Sequence, residues 1–80
     1  MYYVYILLSQ KDNKKYIGST NDLQRRLYQH NLGLVKSTKG RRPLEMFCFE
    51  QYGSEKEART REKFLKTHKG YIELKKKYGL

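Results

Sequence analysis

Cysteine is almost absent from this sequence, which excludes two common ways of stabilising a small protein. Cys48 is the only cysteine among 80 residues, so neither an intrachain disulfide nor a cysteine-ligated zinc site can form. Cys48 lies within an apolar segment with the character of a strand. We therefore interpret it as a core residue rather than a reactive thiol.

The sequence also lacks a long hydrophobic run. No stretch approaches the roughly 18 consecutive apolar residues of a membrane-spanning helix, and no region has the layout of a signal peptide. We expect a soluble, cytoplasmic protein without a membrane partner. Repeats and low-complexity tracts are missing as well, so residues 1–80 are predicted to form one domain with a thin core. The hydrophobic fraction of 38% is too high for a disordered chain.

Acidic residues are scarce compared with basic ones. The chain has 8 aspartates and glutamates against 18 lysines and arginines, and the net charge of +10 favours a polyanionic partner, with nucleic acid as the leading candidate. One loop without apolar periodicity is especially basic, and there we predict contacts to a nucleic-acid backbone from Lys36, Lys39, Arg41 and Arg42. The alternative is that this loop is simply solvated.

The apolar periodicities and turn residues predict three strands and three helices. The strands are predicted at Tyr2–Leu8, about Lys15–Ser19 and Leu44–Tyr52, and the helices at about Asp22–Leu32, about Glu55–Thr67 and Tyr71–Tyr78. The first two strands form an antiparallel hairpin. Apolar residues on both faces of the third strand predict that it is central in its sheet and the best buried. Thr20 or Asn21 is predicted to cap the first helix, and Gly70 to separate the last two.

Helical periodicity places three charged or titratable side chains on inner helix faces. Arg26 and His30 share the buried side of the first helix with Leu23, whereas Arg25 points away. Glu62 lies on the apolar side of the second helix. Because an isolated ionised carboxylate is costly to bury, Glu62 must be paired, solvated in a cleft or holding a cation.

A site for phosphodiester hydrolysis can be built from these residue types. The reaction requires an activated water, neutralisation of charge on the phosphoryl oxygens and help for the leaving oxygen, which a base, a guanidinium and a metal supply. One glutamate is enough for Mg²⁺, which also binds water and substrate phosphate. Each residue has a structural interpretation too, because strand tyrosines and an inward His30 are commonly core residues and Arg26 can pair with Glu62. The residue pattern alone leaves both interpretations open.

Four segments, taken in order, resemble the GIY-YIG nucleases. They are Val4-Tyr5-Ile6, Tyr16-Ile17-Gly18, the stretch 21–31 (NDLQRRLYQHN) and the stretch 57–63 (EARTREK). The similarity spans nearly the whole chain and is greatest to small stand-alone bacterial members and to the nuclease domain of eukaryotic branched-DNA structure-specific enzymes. The incision subunit of bacterial excision repair and the homing endonucleases are more distant. Each three-letter motif is weakly specific by itself, but their order and spacing together are specific.

The resemblance implies an α/β (α+β sandwich) fold in which helices flank a three-stranded antiparallel sheet. It also implies water-mediated cleavage with one divalent ion, Mg²⁺ or Mn²⁺, bound by Glu62. The catalytic positions that it carries over are Tyr5, Tyr16, Arg26, His30 and Glu62, and we expect them to converge in one water-accessible pocket. Two positions depart from the family pattern: Tyr3 replaces the glycine of the first motif, and Ser19 stands where some repair members carry lysine.

The motifs leave two candidates for the general base of the reaction, Tyr5 and His30. A tyrosine hydroxyl, with a pKa of about 10, needs nearby positive charge to act as a base, whereas histidine, at about 6.5, titrates near neutral pH. We favour Tyr5 assisted by His30. The working hypothesis is a DNA endonuclease acting in repair or recombination, with DNA preferred to RNA. The alternatives are a non-catalytic nucleic-acid-binding module on the same fold and a small protein that docks beside nucleic acid or a larger repair partner.

Overall fold

The computed structural model describes all 80 residues, and its elements follow the predicted order. The strands are β1 (Tyr2–Ser9), β2 (Lys15–Thr20) and β3 (Leu44–Tyr52), the helices are α1 (Leu23–Asn31), α2 (Glu55–Leu65) and α3 (His68–Tyr78), and a short 3-10 turn covers Lys39–Arg41. All strand pairs are antiparallel within one sheet, so the expected fold class is confirmed. None of the helices is long and apolar enough to cross a lipid bilayer.

The central strand is β1, and the prediction that β3 is central and best buried is wrong. The strand order is β2-β1-β3. Each residue from Val4 to Leu7 of β1 is at most 3% exposed, whereas Phe47 and Phe49 of β3 are 40% and 51% exposed. An apolar pattern on both faces of a strand shows which residues are hydrophobic, but it does not show whether they are buried. Exposed phenylalanines on an edge strand therefore give the same pattern as a buried central strand.

Side chains of β1 alternate between two cores on opposite faces of the sheet. One core, under α2 and α3, contains Val4, Ile6, Ile17, Ala58, Leu65 and Leu74. The other core, under α1, contains Tyr5, Leu7 and Leu44, with Leu23 and Leu27 of α1 packed against it. Cys48 is half-buried against the first core, which agrees with its interpretation as a core residue, and burial raises the pKa of its thiol.

Two helix boundaries differ from the prediction. The cap of α1 is Asp22 rather than Thr20 or Asn21, because the Asp22 carboxylate accepts a hydrogen bond from the Arg25 backbone N–H at 3.0 Å. Gly70 does not separate the last two helices. It lies in the first turn of α3, where a Cβ would overlap the carbonyl oxygen of Phe64. This glycine therefore allows α3 to pack directly on the end of α2.

Candidate active site

Tyr5 lies on the α1 face of the sheet, over a glycine of the neighbouring strand. It pairs with Gly18 across β1 and β2. A Cβ at Gly18 would lie 2.5 Å from the Tyr5 hydroxyl oxygen and 2.7 Å from its Cζ atom. The tyrosine ring therefore occupies the space that any side chain at position 18 would need. Tyr5 is only 1% exposed, so packing fixes the position of its hydroxyl group.

The α1 helix brings two polar groups to the Tyr5 hydroxyl. His30 Nε2 lies 2.9 Å from Tyr5 Oη, and Arg26 Nε donates a hydrogen bond to the same oxygen at 3.4 Å. His30 is fully buried, and its Nδ1 lies 2.7 Å from Oγ1 of the buried Thr38. The Tyr16 ring packs edge-on against His30 with 5.0 Å between ring centroids. Four of the five predicted site residues thus form one contact group.

Burial determines the protonation states in this group. Burial, followed by the charge of Arg26, lowers the pKa of His30 to about 4, so its imidazole is neutral at neutral pH. Burial also raises the pKa of Tyr5 above its ordinary value, and the hydrogen bond from Arg26 opposes this without overcoming it. In the free protein, a neutral tyrosine therefore faces a neutral histidine.

Glu62 belongs to a second contact group. The Ser19 hydroxyl donates to its Oε1 at 2.6 Å, and the Lys66 ammonium donates to its Oε2 at 2.7 Å. Burial by itself would raise the pKa of Glu62, but the hydrogen bonds from Lys66 and Ser19 outweigh it and the pKa is lowered. Glu62 is therefore an ionised and paired carboxylate. Its partners differ from the structural pairing with Arg26 that the sequence left open.

The two contact groups are neighbours around the free edge of β2. Gly18 lies beneath Tyr5 and Ser19 holds Glu62, and these consecutive residues face opposite sides of the sheet. Because β2 is an edge strand, no further strand separates the two sides there. The charge of Glu62 contributes to the raised pKa of Tyr5, so the groups interact. The five side chains thus form two adjoining groups rather than the single pocket that was expected.

Two open hollows follow this edge and share Ser19 and Arg59. The first, of about 410 Å³, is lined on the α1 side by Arg25 and Arg26. The second, of about 590 Å³, is lined by Glu62 and further residues of α2. A phosphate at their junction would have the Arg26 guanidinium on one side and the Glu62 carboxylate on the other.

One carboxylate, that of Glu62, is available as a ligand for a divalent ion such as Mg²⁺ or Mn²⁺. No group of three or more His, Cys, Asp or Glu side chains is placed to hold a metal, so the protein alone does not build a closed site. Glu62 offers an ionised carboxylate whose side chain is 22% exposed. Mg²⁺ commonly uses one or two carboxylates and completes its shell with water and phosphate oxygens. Glu62 fits this mode once Lys66 releases it.

The basic loop lines neither hollow, and one of its members is engaged inside the protein. Arg41 donates to the Asp12 carboxylate at 3.1 Å and to two backbone carbonyls near the start of β2. These bonds do not test its predicted contact with a nucleic-acid backbone, which stays a prediction. The exposed members of the loop, for which nucleic-acid contact stays a prediction, are Lys36, Lys39 and Arg42.

Sequence reasoning missed three residues of the site. Thr38 lies in the basic loop, yet its buried hydroxyl contacts His30. Ser19 was noted only as a departure from the family pattern, yet it holds Glu62. Arg59 lines both hollows. Helical spacing could have indicated Arg59, which precedes Glu62 by three residues, whereas the contact of Thr38 depends on the path of an irregular loop.

Comparison with known proteins identifies the family of this chain. A family model described as the GIY-YIG catalytic domain matches residues 1–78. A UPF0213 protein of Clostridium perfringens is 43% identical over 67 residues, which cover 82% of this chain and 71% of the relative. A UPF0213 protein of Staphylococcus haemolyticus is 40% identical over 75 residues, covering 92% and 90% of the two chains. The solution NMR structure of a UPF0213 protein of Bacillus halodurans superposes with a TM-score of 0.57 at 34% identity, covering 99% of this chain and 87% of that one. The chain therefore belongs to the GIY-YIG family and resembles its small UPF0213 members.

Proposed function

We propose that this protein is a divalent-metal-dependent endonuclease that hydrolyses DNA phosphodiester bonds, acting in repair or recombination. The observation that carries the proposal is the juxtaposition of Tyr5, Arg26 and His30 with an ionised Glu62 around one strand edge. A proton acceptor, a guanidinium and a metal-binding carboxylate are the groups that the reaction needs. Membership of a family whose model is a catalytic domain supports the assignment.

Arg26 is assigned to stabilising the negative charge on the phosphoryl oxygens. Its Nε atom is fixed on Tyr5 and its Nη1 atom donates to Gln29 at 3.1 Å, while Nη2 has no hydrogen-bond partner. A guanidinium held at two points presents its charge to the substrate in a fixed position. Preorganised charge stabilises a transition state without reorganisation during the reaction. Tyr16, packed on His30, is assigned to orienting the water or the phosphate.

Tyr5 and His30 are assigned to proton transfer. With the Nδ1–H of His30 donated to Thr38, the lone pair on Nε2 accepts the Tyr5 hydroxyl proton. Tyr5 can then take a proton from the attacking water while it gives its own proton to His30. Bound phosphate adds negative charge near the pair, which raises the pKa of His30 and makes it a better acceptor than in the free protein.

Glu62 is assigned to holding the metal ion. When bound, such an ion neutralises charge on the phosphoryl group and on the leaving oxygen. Lys66 must give up its contact with Glu62 for this to occur. Because one carboxylate is a small ligand set, we expect metal binding to depend on the phosphate oxygens of the substrate.

A cleavage assay on single-stranded, flapped and branched DNAs, with an RNA strand for comparison, tests the proposal. The parent should cut at least one DNA in Mg²⁺ or Mn²⁺ and none in a chelator. Glu62→Gln keeps the side-chain size but removes the charge, and it should lower the rate by roughly 100-fold or more. Glu57→Gln is the matched control, since glutamine preserves the capping contact with Ser54, and it should cut like the parent. Equal rates for the two variants would contradict the assignment.

A non-catalytic nucleic-acid-binding module is the second candidate. The contact between Lys66 and Glu62 favours it, because an ammonium group already neutralises the proposed metal ligand. This candidate predicts that binding persists in chelator while no DNA in the panel is cut. The third possibility, a protein that docks beside a repair partner, predicts nucleic-acid affinity with a negligible dependence on salt.

A further inference from the structure

The second helix presents a row of basic side chains beside Glu62 that the proposed chemistry does not use. Lys56, Arg59 and Lys63 line the hollow that contains Glu62, and all three are exposed. Their spacing of three and four residues places them along one side of α2. We call these three residues the α2 basic row.

The residues of the α2 basic row are available for binding. Lys56 and Lys63 make no ion pair, and the only ion pair of Arg59 is an exposed contact of 3.6 Å with Glu55. Exposed pairs of this kind contribute at most about 1 kcal/mol, so a phosphate can displace Glu55. The three residues of the row therefore have no strong internal contacts of their own.

Arg61 shows what a structurally engaged arginine looks like on the same helix. It is half-buried, and it contacts Glu50 of β3 at 2.9 Å and Glu73 of α3 at 2.8 Å. These contacts tie α2 to its neighbours. Arg59 differs from Arg61 because its only acidic partner is the exposed Glu55 and because it lines an open hollow. The contrast separates the structural side of α2 from its accessible side.

The wall opposite the α2 basic row is basic as well. Arg25 and Arg26 of α1 line the first hollow, which Arg59 also lines from the α2 side. The two hollows join at Ser19 and Arg59. The edge of β2 is thus bordered by positive side chains on both sides, and a polyanion is the ligand that such a groove fits.

We propose that the α2 basic row binds the sugar-phosphate backbone of a nucleic-acid strand on one side of the scissile phosphate. From Lys56 to Lys63 the helix rises by about 10 Å, which is comparable with about three base steps of a duplex at an axial rise of about 3.4 Å each. Backbone contacts carry no base information, so this binding is sequence-tolerant. That this contact lies beside a scissile phosphate rests on the proposed function. The contact with the nucleic-acid backbone itself does not require cleavage.

Two double variants with the same change in charge test the α2 basic row. Lys56→Gln with Lys63→Gln removes two charges from the row, and Lys75→Gln with Lys76→Gln removes two from exposed positions of α3. Glutamine and lysine have similar helix propensities, so both variants should fold like the parent. The binding of a short, fluorescently labelled single-stranded DNA is followed by anisotropy, in chelator, over a range of KCl concentrations.

The row variant should lose affinity at low salt by roughly 10-fold or more. In a plot of the logarithm of the binding constant against the logarithm of the KCl concentration, the slope should become shallower by about 1.4, because each lost phosphate contact on a single strand contributes about 0.7. The α3 variant should bind nearly like the parent. Arg59→Gln alone should lower the slope by about 0.7. Equal losses in the two double variants would show that the field of the whole molecule attracts DNA, and a parental slope in the row variant would also overturn the proposal.

Cleavage assays separate this proposal from the proposed function. If the row variant binds weakly while Glu62→Gln and the parent behave alike in cleavage, the proposed binding surface is supported and the proposed nuclease activity is contradicted. If Glu62→Gln abolishes cleavage while the row variant binds like the α3 variant, the nuclease activity is supported and the proposed binding by the α2 basic row is contradicted.

Discussion

Gly18 and Tyr5 compete for the same space, so a single methyl group at position 18 should disrupt the site. Gly18→Ala places its Cβ 2.5 Å from the Tyr5 hydroxyl oxygen, which the buried ring cannot easily accommodate. We expect the variant to be less stable by about 1–3 kcal/mol and slower in cleavage, because Tyr5 must move away from His30. Denaturant unfolding and single-turnover cleavage measure the two effects.

Gly53→Ala is the control for this substitution. A Cβ at Gly53 meets no atom within 4 Å, so its stability and cleavage rate should match those of the parent. If Gly18→Ala matched the parent as well, the position of the Tyr5 ring would not be fixed by this glycine.

His30 should make the stability of the protein depend on pH. Its pKa is about 4 in the folded protein and 6.5 in the unfolded chain, so the unfolded chain binds the proton first as the pH falls. The stabilisation is fully present above pH 6.5 and is lost between pH 6.5 and 4, by up to roughly 3 kcal/mol. Denaturant unfolding at a series of pH values measures this loss.

His30→Gln removes the titrating group and should flatten the profile between pH 6.5 and 5. Glu50 and Glu62 affect stability at lower pH, because the pKa values of both carboxyls lie below their ordinary range. A parent protein with constant stability between pH 6.5 and 5 would contradict the burial of a neutral His30.

At the scale of elements, the junction between α2 and α3 reverses a general rule about glycine. Replacing glycine by alanine inside a helix normally stabilises it by up to about 1 kcal/mol. At Gly70 the added Cβ would overlap the Phe64 carbonyl oxygen, so Gly70→Ala should instead destabilise the protein by about 1–3 kcal/mol. Thermal or denaturant unfolding gives the sign, and a stabilised variant would disprove the close contact between the helices.

The elements themselves were predictable from sequence, while their arrangement was only partly so. Periodicity placed three strands and three helices in the correct order, with ends within a few residues. It misassigned β3, because Phe47 and Phe49 look like core residues in a sequence and lie exposed on an edge strand. It misassigned Gly70, because a glycine needed for close packing looks the same as one that ends a helix.

The candidate site shows the same division between local and long-range information. Helical spacing correctly placed Arg26 and His30 on one face of α1 and Glu62 toward the apolar side of α2. It contained no information on which sheet face each helix covers. The separation of Glu62 from Tyr5 by the edge of β2 is a property of the assembled sheet, and only the structure could supply it.

At the scale of the whole molecule, the accessible basic residues behind the net charge of +10 are not confined to the basic loop. Arg41 and Arg61 are used to join elements of the fold, whereas the groove along β2 collects accessible basic residues from α1 and α2. Arg26 of the first contact group and Glu62 of the second line this groove, which is where we propose that nucleic acid binds. Under the proposed function, cleavage requires both contact groups to act together.

A double-mutant cycle in single-turnover cleavage tests this joint action most directly. Tyr5→Phe and Glu62→Gln should each slow cleavage by roughly 100-fold or more. Because both side chains are proposed to serve one chemical step, the double variant should be far less impaired than the product of the two single effects. Effects that multiply, or a Tyr5→Phe variant that cuts at the parental rate, would contradict a single site assembled around the edge of β2.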